Sequence, residues 1–109
     1  MKHRLSDAMI GEVTSLFEAM GDQSRLRILR AILDSRNTLS QGAIAEATGL
    51  SQANASKHLA CLVRVGLLAR EQNGNTVYFT PVQPLVSNIC DLVCGHVAQR
   101  AKSSYHSLR

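Results

Sequence analysis

Polar side chains cluster between positions 51 and 58, in a stretch that begins with Ser51-Gln52 and ends with Lys57-His58. Amide side chains can read the edge of adenine in a DNA major groove, whereas hydroxyl groups and lysine suit the phosphate backbone. The alternative is an ordinary solvated helix face. We predict that this stretch contacts DNA bases or phosphates through Ser51, Gln52, Asn54, Ser56, Lys57 and His58.

Cysteines are the second group capable of chemistry. Cys90 and Cys94 are four residues apart, so on a helix both sulfurs project from one face. Two thiolates at that spacing could share a soft ion such as Cd(II), Hg(II) or As(III), with Cys61 or a group from a second subunit completing the shell. Two alternatives remain open: these thiols are core residues, or they sense oxidants or persulfides. A direct Cys90–Cys94 disulfide would be strained, because i, i+4 Cβ atoms lie roughly 5–6 Å apart against the ~3.8 Å that a disulfide prefers.

The polar stretch needs a rigid support, and residues 40–65 read as a helix-turn-helix. Gly49 tolerates the geometry of a sharp turn, and Ser51 can cap the helix that follows. In that second helix, apolar residues recur at i, i+4 and i+7, which predicts one buried face. These residues are Ala55, Leu59 and Leu62.

A hairpin is predicted at residues 67–80. Two β-prone runs, 67–70 and 76–80, flank an Asn-Gly step, and Asn and Gly both accept the left-handed dihedral angles of a hairpin turn. A hairpin directly after a recognition helix is a wing. It would reach a phosphate or the minor groove through Arg70, Asn73 and Asn75, or it would simply close the core.

Helices are predicted on both sides of this unit. Residues 5–20 and 84–101 have apolar residues at helical spacing over more surface than one small domain covers, so we expect both helices to form a homodimer interface. Asp22 is the expected N-cap of another helix, whose Arg25, Arg27 and Arg30 should face outward.

Composition limits the class of protein. With 109 residues the chain is one domain, and its net charge of +4 favours a polyanionic partner. No apolar run approaches the roughly 20 residues that span a bilayer, and the start of the chain lacks a signal-peptide pattern, so we expect a cytoplasmic protein without membrane contact. Three cysteines in such a chain indicate reduced thiols. No nucleophile is paired with a positioned base, so we do not expect an enzyme.

Several motifs in order resemble the ArsR/SmtB family of winged-helix repressors. They are the segment from Gly21-Asp22 to Ile28-Leu29, Ser56-Lys57-His58-Leu59, and Gly66-Leu67. The resemblance covers about residues 13–101 and implies an α+β, mainly α, winged helix-turn-helix fold with a two-stranded wing. From its length we expect a single domain over residues 1–109. It also implies a dimeric cytoplasmic repressor that leaves a double-stranded DNA operator when a metal ion or another thiol-reactive inducer binds.

Two effector sites of that family are absent from this sequence. The Cys-x-Cys site on the first helix of the helix-turn-helix corresponds to Ser40 and Gly42 here. The zinc-type site on the last helix requires Asp-x-His and, later, His-x-x-Glu or His-x-x-His. Here Val93 stands two residues after Asp91, and Gln99 stands three residues after His96, so this site is absent. No cofactor is therefore certain. A winged helix that only binds other proteins, with structural cysteines, is the alternative to a repressor.

Overall fold

The structure, a computed structural model, describes residues 4–107, with side chains as far as Ser103. The ends of the predicted domain, residues 1–3 and 108–109, lie outside the described residues. Five helices and three strands follow one another within the described part. In chain order they are α1 (Asp7–Met20), α2 (Gln23–Leu33), β1 (Leu39–Ser40), α3 (Gln41–Thr48), α4 (Gln52–Arg64), β2 (Leu68–Asn73), β3 (Thr76–Pro81) and α5 (Leu85–Ser107).

Side-chain caps fix the starts of the first four helices. In each, the oxygen of a serine or aspartate accepts the backbone N–H three residues later, which satisfies one of the N–H groups that a helix leaves unpaired. The Asp22 carboxylate accepts from Arg25 at 3.0 Å, and Ser51 accepts from Asn54 at 3.1 Å. Ser6 and Ser40 cap α1 and α3 in the same way. The predicted caps at Asp22 and Ser51 are therefore present.

The core lies where α2, α3, α4 and the start of α5 meet the sheet. The predicted inner face of α4 is fully buried at Ala55, Leu59 and Leu62. The turn between α3 and α4 is made by Gly49, whose φ of +73° explains why glycine occupies this position. The other large buried side chains are Ile28, Leu29, Ile32, Ile44, Leu67, Leu68, Phe79 and Val86.

The sheet has three antiparallel strands in the order β1-β3-β2. The predicted two-stranded wing is present as β2 and β3, and β1 is a third strand that was not predicted. The extra strand β1 has two residues and pairs Leu39 with Phe79, a contact between distant parts of the chain that no local pattern reveals. The wing turn also differs from the prediction. Asn73 is a strand residue paired with Thr76, so the turn is Gly74-Asn75, and Gly74 alone of these two has a positive φ, of +65°.

Two arginines of α2 do not face outward as predicted. Arg25 donates from Nε to the Ala19 carbonyl at 2.7 Å and so ties α2 to the end of α1. Arg30 donates to Asp34 at 3.0 Å and to Asp91 at 3.2 Å, which joins α2 to α5. Arg27 is exposed as expected.

The terminal helices leave large apolar side chains in solvent. Eight such residues are more than a third exposed: one lies just before α1, four lie on α1 and three on α5. The apolar stripe on α5 divides, because Val86 and Cys90 are buried whereas Val93 and Val97 are each 56% exposed. The helix continues past the domain core and beyond the predicted end at residue 101. The exposed residues are Leu5, Met9, Ile10, Val13, Phe17, Leu92, Val93 and Val97.

No helix among residues 4–107 has the length and apolar character needed to cross a membrane.

Candidate DNA-binding surface and cysteine pair

Helix α4 presents one polar face to solvent, opposite the face that is buried in the core. Eight of the nine residues predicted to contact DNA are exposed, and His58 is half-buried. The Ser51 hydroxyl oxygen accepts the N–H of Asn54, which leaves its hydroxyl proton free to donate. The exposed residues are Ser51, Gln52, Asn54, Ser56, Lys57, Arg70, Asn73 and Asn75.

Gln52 lies at the junction of the two helices of the helix-turn-helix. Its Nε2 is 3.9 Å from the position that a Cβ on Gly42 would occupy, so this amide lies beside the start of α3. A larger side chain at position 42 would therefore approach Gln52 directly. The polar face of α4 thus begins at the contact between α3 and α4.

His58 is positioned differently from the other predicted contacts. Its Nδ1 lies 3.9 Å from Oδ2 of Asp22, the residue that caps α2, and only 21% of its side chain is exposed. The pKa of Asp22 is lowered chiefly by the hydrogen bond from the Arg25 N–H. Burial opposes this effect, and electrostatic interactions with Arg25 and His58 lower the pKa further. Asp22 is therefore a carboxylate at neutral pH. His58 lies at the edge between α4 and α2 and is not fully available to DNA.

Basic side chains flank α4 on both sides. A cleft between α2 and α4 is lined by Arg25, Lys57 and Arg64, and a groove between α4 and the wing is lined by Arg64 and Arg70. Arg64 was missed in the sequence, although it lies seven residues after Lys57 and so on the same face of the helix. Positive charge on both sides of a polar helix is the arrangement that tracks a phosphate backbone.

The three cysteines are free thiols, and the structure separates one from the other two. Cys90 and Cys94 line one cavity between α1, α2 and α5, whereas Cys61 lines the basic cleft beside α4. Within residues 4–107 no three His, Cys, Asp or Glu side chains are grouped to hold a metal ion. Within one chain Cys61 therefore lies apart from the Cys90–Cys94 pair, on a different helix and in a different cleft. Completion of a metal shell by Cys61 or by a group from a second subunit stays a prediction.

The cysteine pair itself is asymmetric. Cys90 is 1% exposed, and burial raises the pKa of its thiol, as does the nearby charge of Cys94. Cys94 is half-buried. The charge of the Arg30 guanidinium opposes the rise in the pKa of Cys90. Burial acts to lower the pKa of Arg30 itself, but the carboxylates of Asp34 and Asp91, with a further contribution from Cys94, outweigh burial and raise it.

These features define a winged helix-turn-helix DNA-binding regulator, and comparison with known proteins agrees. Residues 20–71 match a family model described as a helix-turn-helix domain. The chain is 42% identical over 65 residues to the transcriptional activator HlyU of Vibrio cholerae, covering 60% of this chain and 58% of that protein. It is 32% identical over 73 residues to a probable mercury resistance operon repressor of Streptomyces lividans, covering 67% and 57%. The chain thus spans somewhat under three fifths of the length of these curated relatives.

Solved structures give the same result over more of the chain. Reduced HlyU from Vibrio cholerae superposes with a TM-score of 0.69 at 34% identity, covering 77% of this chain and 86% of that one. The antimony-specific transcriptional repressor AntR gives 0.80 at 26% identity, covering 93% and 90%. The homodimeric winged helix-turn-helix domain Mb0332 from Mycobacterium bovis, a possible ArsR-family regulator, gives 0.75 at 27% identity, covering 90% and 92%. The chain belongs to the ArsR/SmtB family of winged-helix transcriptional regulators.

Proposed function

We propose that this protein is a homodimeric repressor that binds a specific DNA operator through α4 and the wing. The observation that carries the proposal is the exposed polar face of α4, flanked by Lys57, Arg64 and Arg70, on a helix whose opposite face is fixed in the core. Rigid support matters because side chains that read bases must be held in register. Two relatives named as repressors favour repression over activation, although HlyU is named as an activator.

The homodimer would form through the exposed apolar residues of α1 and α5. Contiguous apolar surface on this scale marks an interaction site, and a two-fold interface would use the same patch on both subunits. The homodimeric Mb0332 domain supports this choice of partner. A symmetric pair of α4 helices would then fit two half-sites about 34 Å apart, one turn of DNA.

Fluorescence anisotropy tests the DNA-binding part of this proposal. The duplex would be the DNA upstream of the protein's own reading frame, with a scrambled duplex of equal length as the control. We expect specific binding to exceed nonspecific binding by about 10³ or more. Equal affinity for both duplexes at every salt concentration would favour a module that assembles with other proteins.

We also propose that a thiol-reactive effector engages the Cys90–Cys94 pair and weakens DNA binding. Support comes from the shared cavity of the two thiols and from their position beside the exposed apolar surface of α5. Two relatives carry names that refer to mercury and antimony, which are soft, thiol-binding elements. Binding in this cavity would alter how α5 packs and hence the spacing of the recognition helices.

The effector test titrates the protein–DNA complex in parallel with Cd(II), Hg(II), As(III) and a persulfide donor. A Cys90→Ala/Cys94→Ala variant is the matched control, since alanine buries no new hydroxyl at the closed Cys90 position. Release from the wild type but not from the variant would identify the pair as the sensor. The same response in both proteins would make Cys90 and Cys94 structural.

A further inference from the structure

An apolar cavity lies between α1, α2 and α5, with a volume of about 200 Å³. A cavity of about 150 Å³ lined by Leu, Ile and Phe is large enough to bind benzene, so this one accommodates a small ring-sized molecule. The side chains of its wall are hydrocarbon apart from the two cysteine thiols and the Met20 thioether. The lining residues are Phe17, Met20, Gly21, Leu26, Ile89, Cys90, Val93 and Cys94.

We propose that this cavity receives a neutral, apolar carbon electrophile, of the α,β-unsaturated carbonyl class, which alkylates Cys94. The inference rests on the proposed DNA-binding function and specifies the chemistry of its effector. Three observations lead to this choice: the cavity wall, the difference between the two thiols, and the compensated charge beside them.

The cavity wall suits a neutral apolar molecule better than a hydrated cation. An ion that enters must exchange its waters for protein ligands, and the wall offers only two thiols and the Met20 thioether. No group of three His, Cys, Asp or Glu side chains that could hold a metal ion lies among the described residues. A neutral apolar molecule needs no such ligands.

The two thiols differ in their access to such a molecule. Cys90 is 1% exposed, so its sulfur is closed to a reagent that enters from solvent. Cys94 is half-buried one helical turn further on and borders the same cavity. Of these two thiols, only Cys94 is therefore expected to be alkylated.

Charge beside the cavity gives no advantage to an anionic reagent. Arg30 is the neighbouring cation, and its guanidinium is already bound to the carboxylates of Asp34 and Asp91 at 3.0 and 3.2 Å. Cys61 provides a contrasting environment, because its cleft is lined by Arg25, Lys57 and Arg64. The two thiols should thus prefer reagents of different charge.

The reaction needs no oxidant or reductant. The Cys94 thiol loses its proton to water, and the thiolate electron pair forms a sulfur–carbon bond to the β-carbon of the electrophile. The electrons of the carbon–carbon double bond move onto the carbonyl as an enolate, and the α-carbon then takes a proton from water. One thiol and one unsaturated carbonyl compound give one thioether.

The adduct would reach the DNA-binding surface through the dimer. Phe17 and Val93 line the cavity and are also 64% and 56% exposed on the surface that we assign to the dimer interface. An adduct that fills the cavity displaces one of these side chains toward the partner. The two α4 helices then no longer match half-sites one DNA turn apart.

The first test compares N-ethylmaleimide with maleimidopropionate, which carries the same reactive ring on an anionic side chain. Peptide mass spectrometry on the native wild-type protein gives the alkylation rate at each cysteine. Each rate is divided by the rate at which the same reagent alkylates glutathione. At Cys94 we expect the neutral reagent to be faster by about tenfold or more, because the anion must be desolvated. At Cys61 we expect the anionic reagent to be at least as fast.

Three results of this first test would overturn the proposal. One is the same reagent preference at both cysteines. Another is alkylation of Cys90 ahead of Cys94. The third is a Cys94 that reacts in urea but not in the native protein, which would mean that a side chain of the partner fills the cavity.

The second test measures DNA binding after alkylation by N-ethylmaleimide in a Cys61→Ser background, with Cys61→Ser/Cys94→Ala treated identically. We expect alkylation at Cys94 to weaken binding by about tenfold or more, a typical allosteric coupling, and the control to be unaffected. If untreated wild type fails to bind DNA, the proposed function is in error, and the reagent preference still decides the cavity assignment. If wild type and Cys61→Ser both bind and full alkylation at Cys94 leaves the affinity of Cys61→Ser unchanged, the effector assignment is wrong.

Discussion

Phe17 offers the sharpest test of the proposed dimer. It is 64% exposed on α1, and its ring is the largest apolar side chain of the surface that we assign to the interface. Full burial of a phenylalanine side chain is worth about 1.5–3 kcal/mol, so burial of the remaining surface contributes roughly 1–2 kcal/mol per subunit. A two-fold interface contains this contact twice, which gives about 2–4 kcal/mol per dimer. We therefore expect Phe17→Ala to raise the dimer dissociation constant by about 30-fold to 1,000-fold.

Sedimentation velocity over a range of protein concentrations measures this shift. Val82→Ala is the matched control, because Val82 is also exposed, at 40%, but lies between β3 and α5, outside both terminal helices. Circular dichroism should show that both variants keep their helix content, since each substitution removes a side chain from solvent-exposed surface. Equal dissociation constants for Phe17→Ala and wild type would refute the assignment of α1 to the interface.

Three further predictions concern α4 and its supports. Lys57→Ala should lower the slope of log affinity against log salt by about one, while changing the free energy of unfolding by less than about 0.5 kcal/mol. Gln52→Ala should instead relax discrimination at one base pair. Unchanged salt titrations for both variants would remove α4 from the DNA interface. Leu59→Ala, at a position 1% exposed, should cost about 2–5 kcal/mol in urea unfolding, and a loss below about 1 kcal/mol would mean that the α4 core face is misassigned. Asp22→Asn keeps a capping side chain and removes only the charge of the carboxylate. The greater stability of the wild type should therefore be present above about pH 3.9 and vanish as the pH falls through the lowered pKa of Asp22. A difference in stability that does not depend on pH would contradict the role of this charge.

Local signals made the DNA-binding unit predictable. Gly49 and Ser51 mark the turn and the cap within three residues, and the buried set on α4 follows the helical period of its own segment. Such features depend on neighbours in the chain, and both appear in the structure as expected. The contribution of Arg64 was equally local and could have been found from its spacing to Lys57.

Long-range contacts were not predictable in the same way. Strand β1 exists because Leu39 and Ser40 pair with residues about forty positions later. A two-residue segment carries no local pattern from which such a pairing could be predicted. The sequence predicts that Arg30 faces outward from α2, whereas in the structure it pairs with Asp91 of α5. The grouping of the cysteines likewise depends on how three helices pack, so spacing alone identified the Cys90–Cys94 pair but did not show that Cys61 lines a different cleft.

The most direct test of the account is a proton–nitrogen correlation spectrum of the protein recorded with and without its upstream duplex. If α4 reads DNA, the largest amide shifts will fall in Gln52–His58 and at the wing tip around Gly74, while the amides of α1 stay near their free positions. Unshifted α4 amides in a saturated complex, or shifts confined to the terminal helices, would contradict the account.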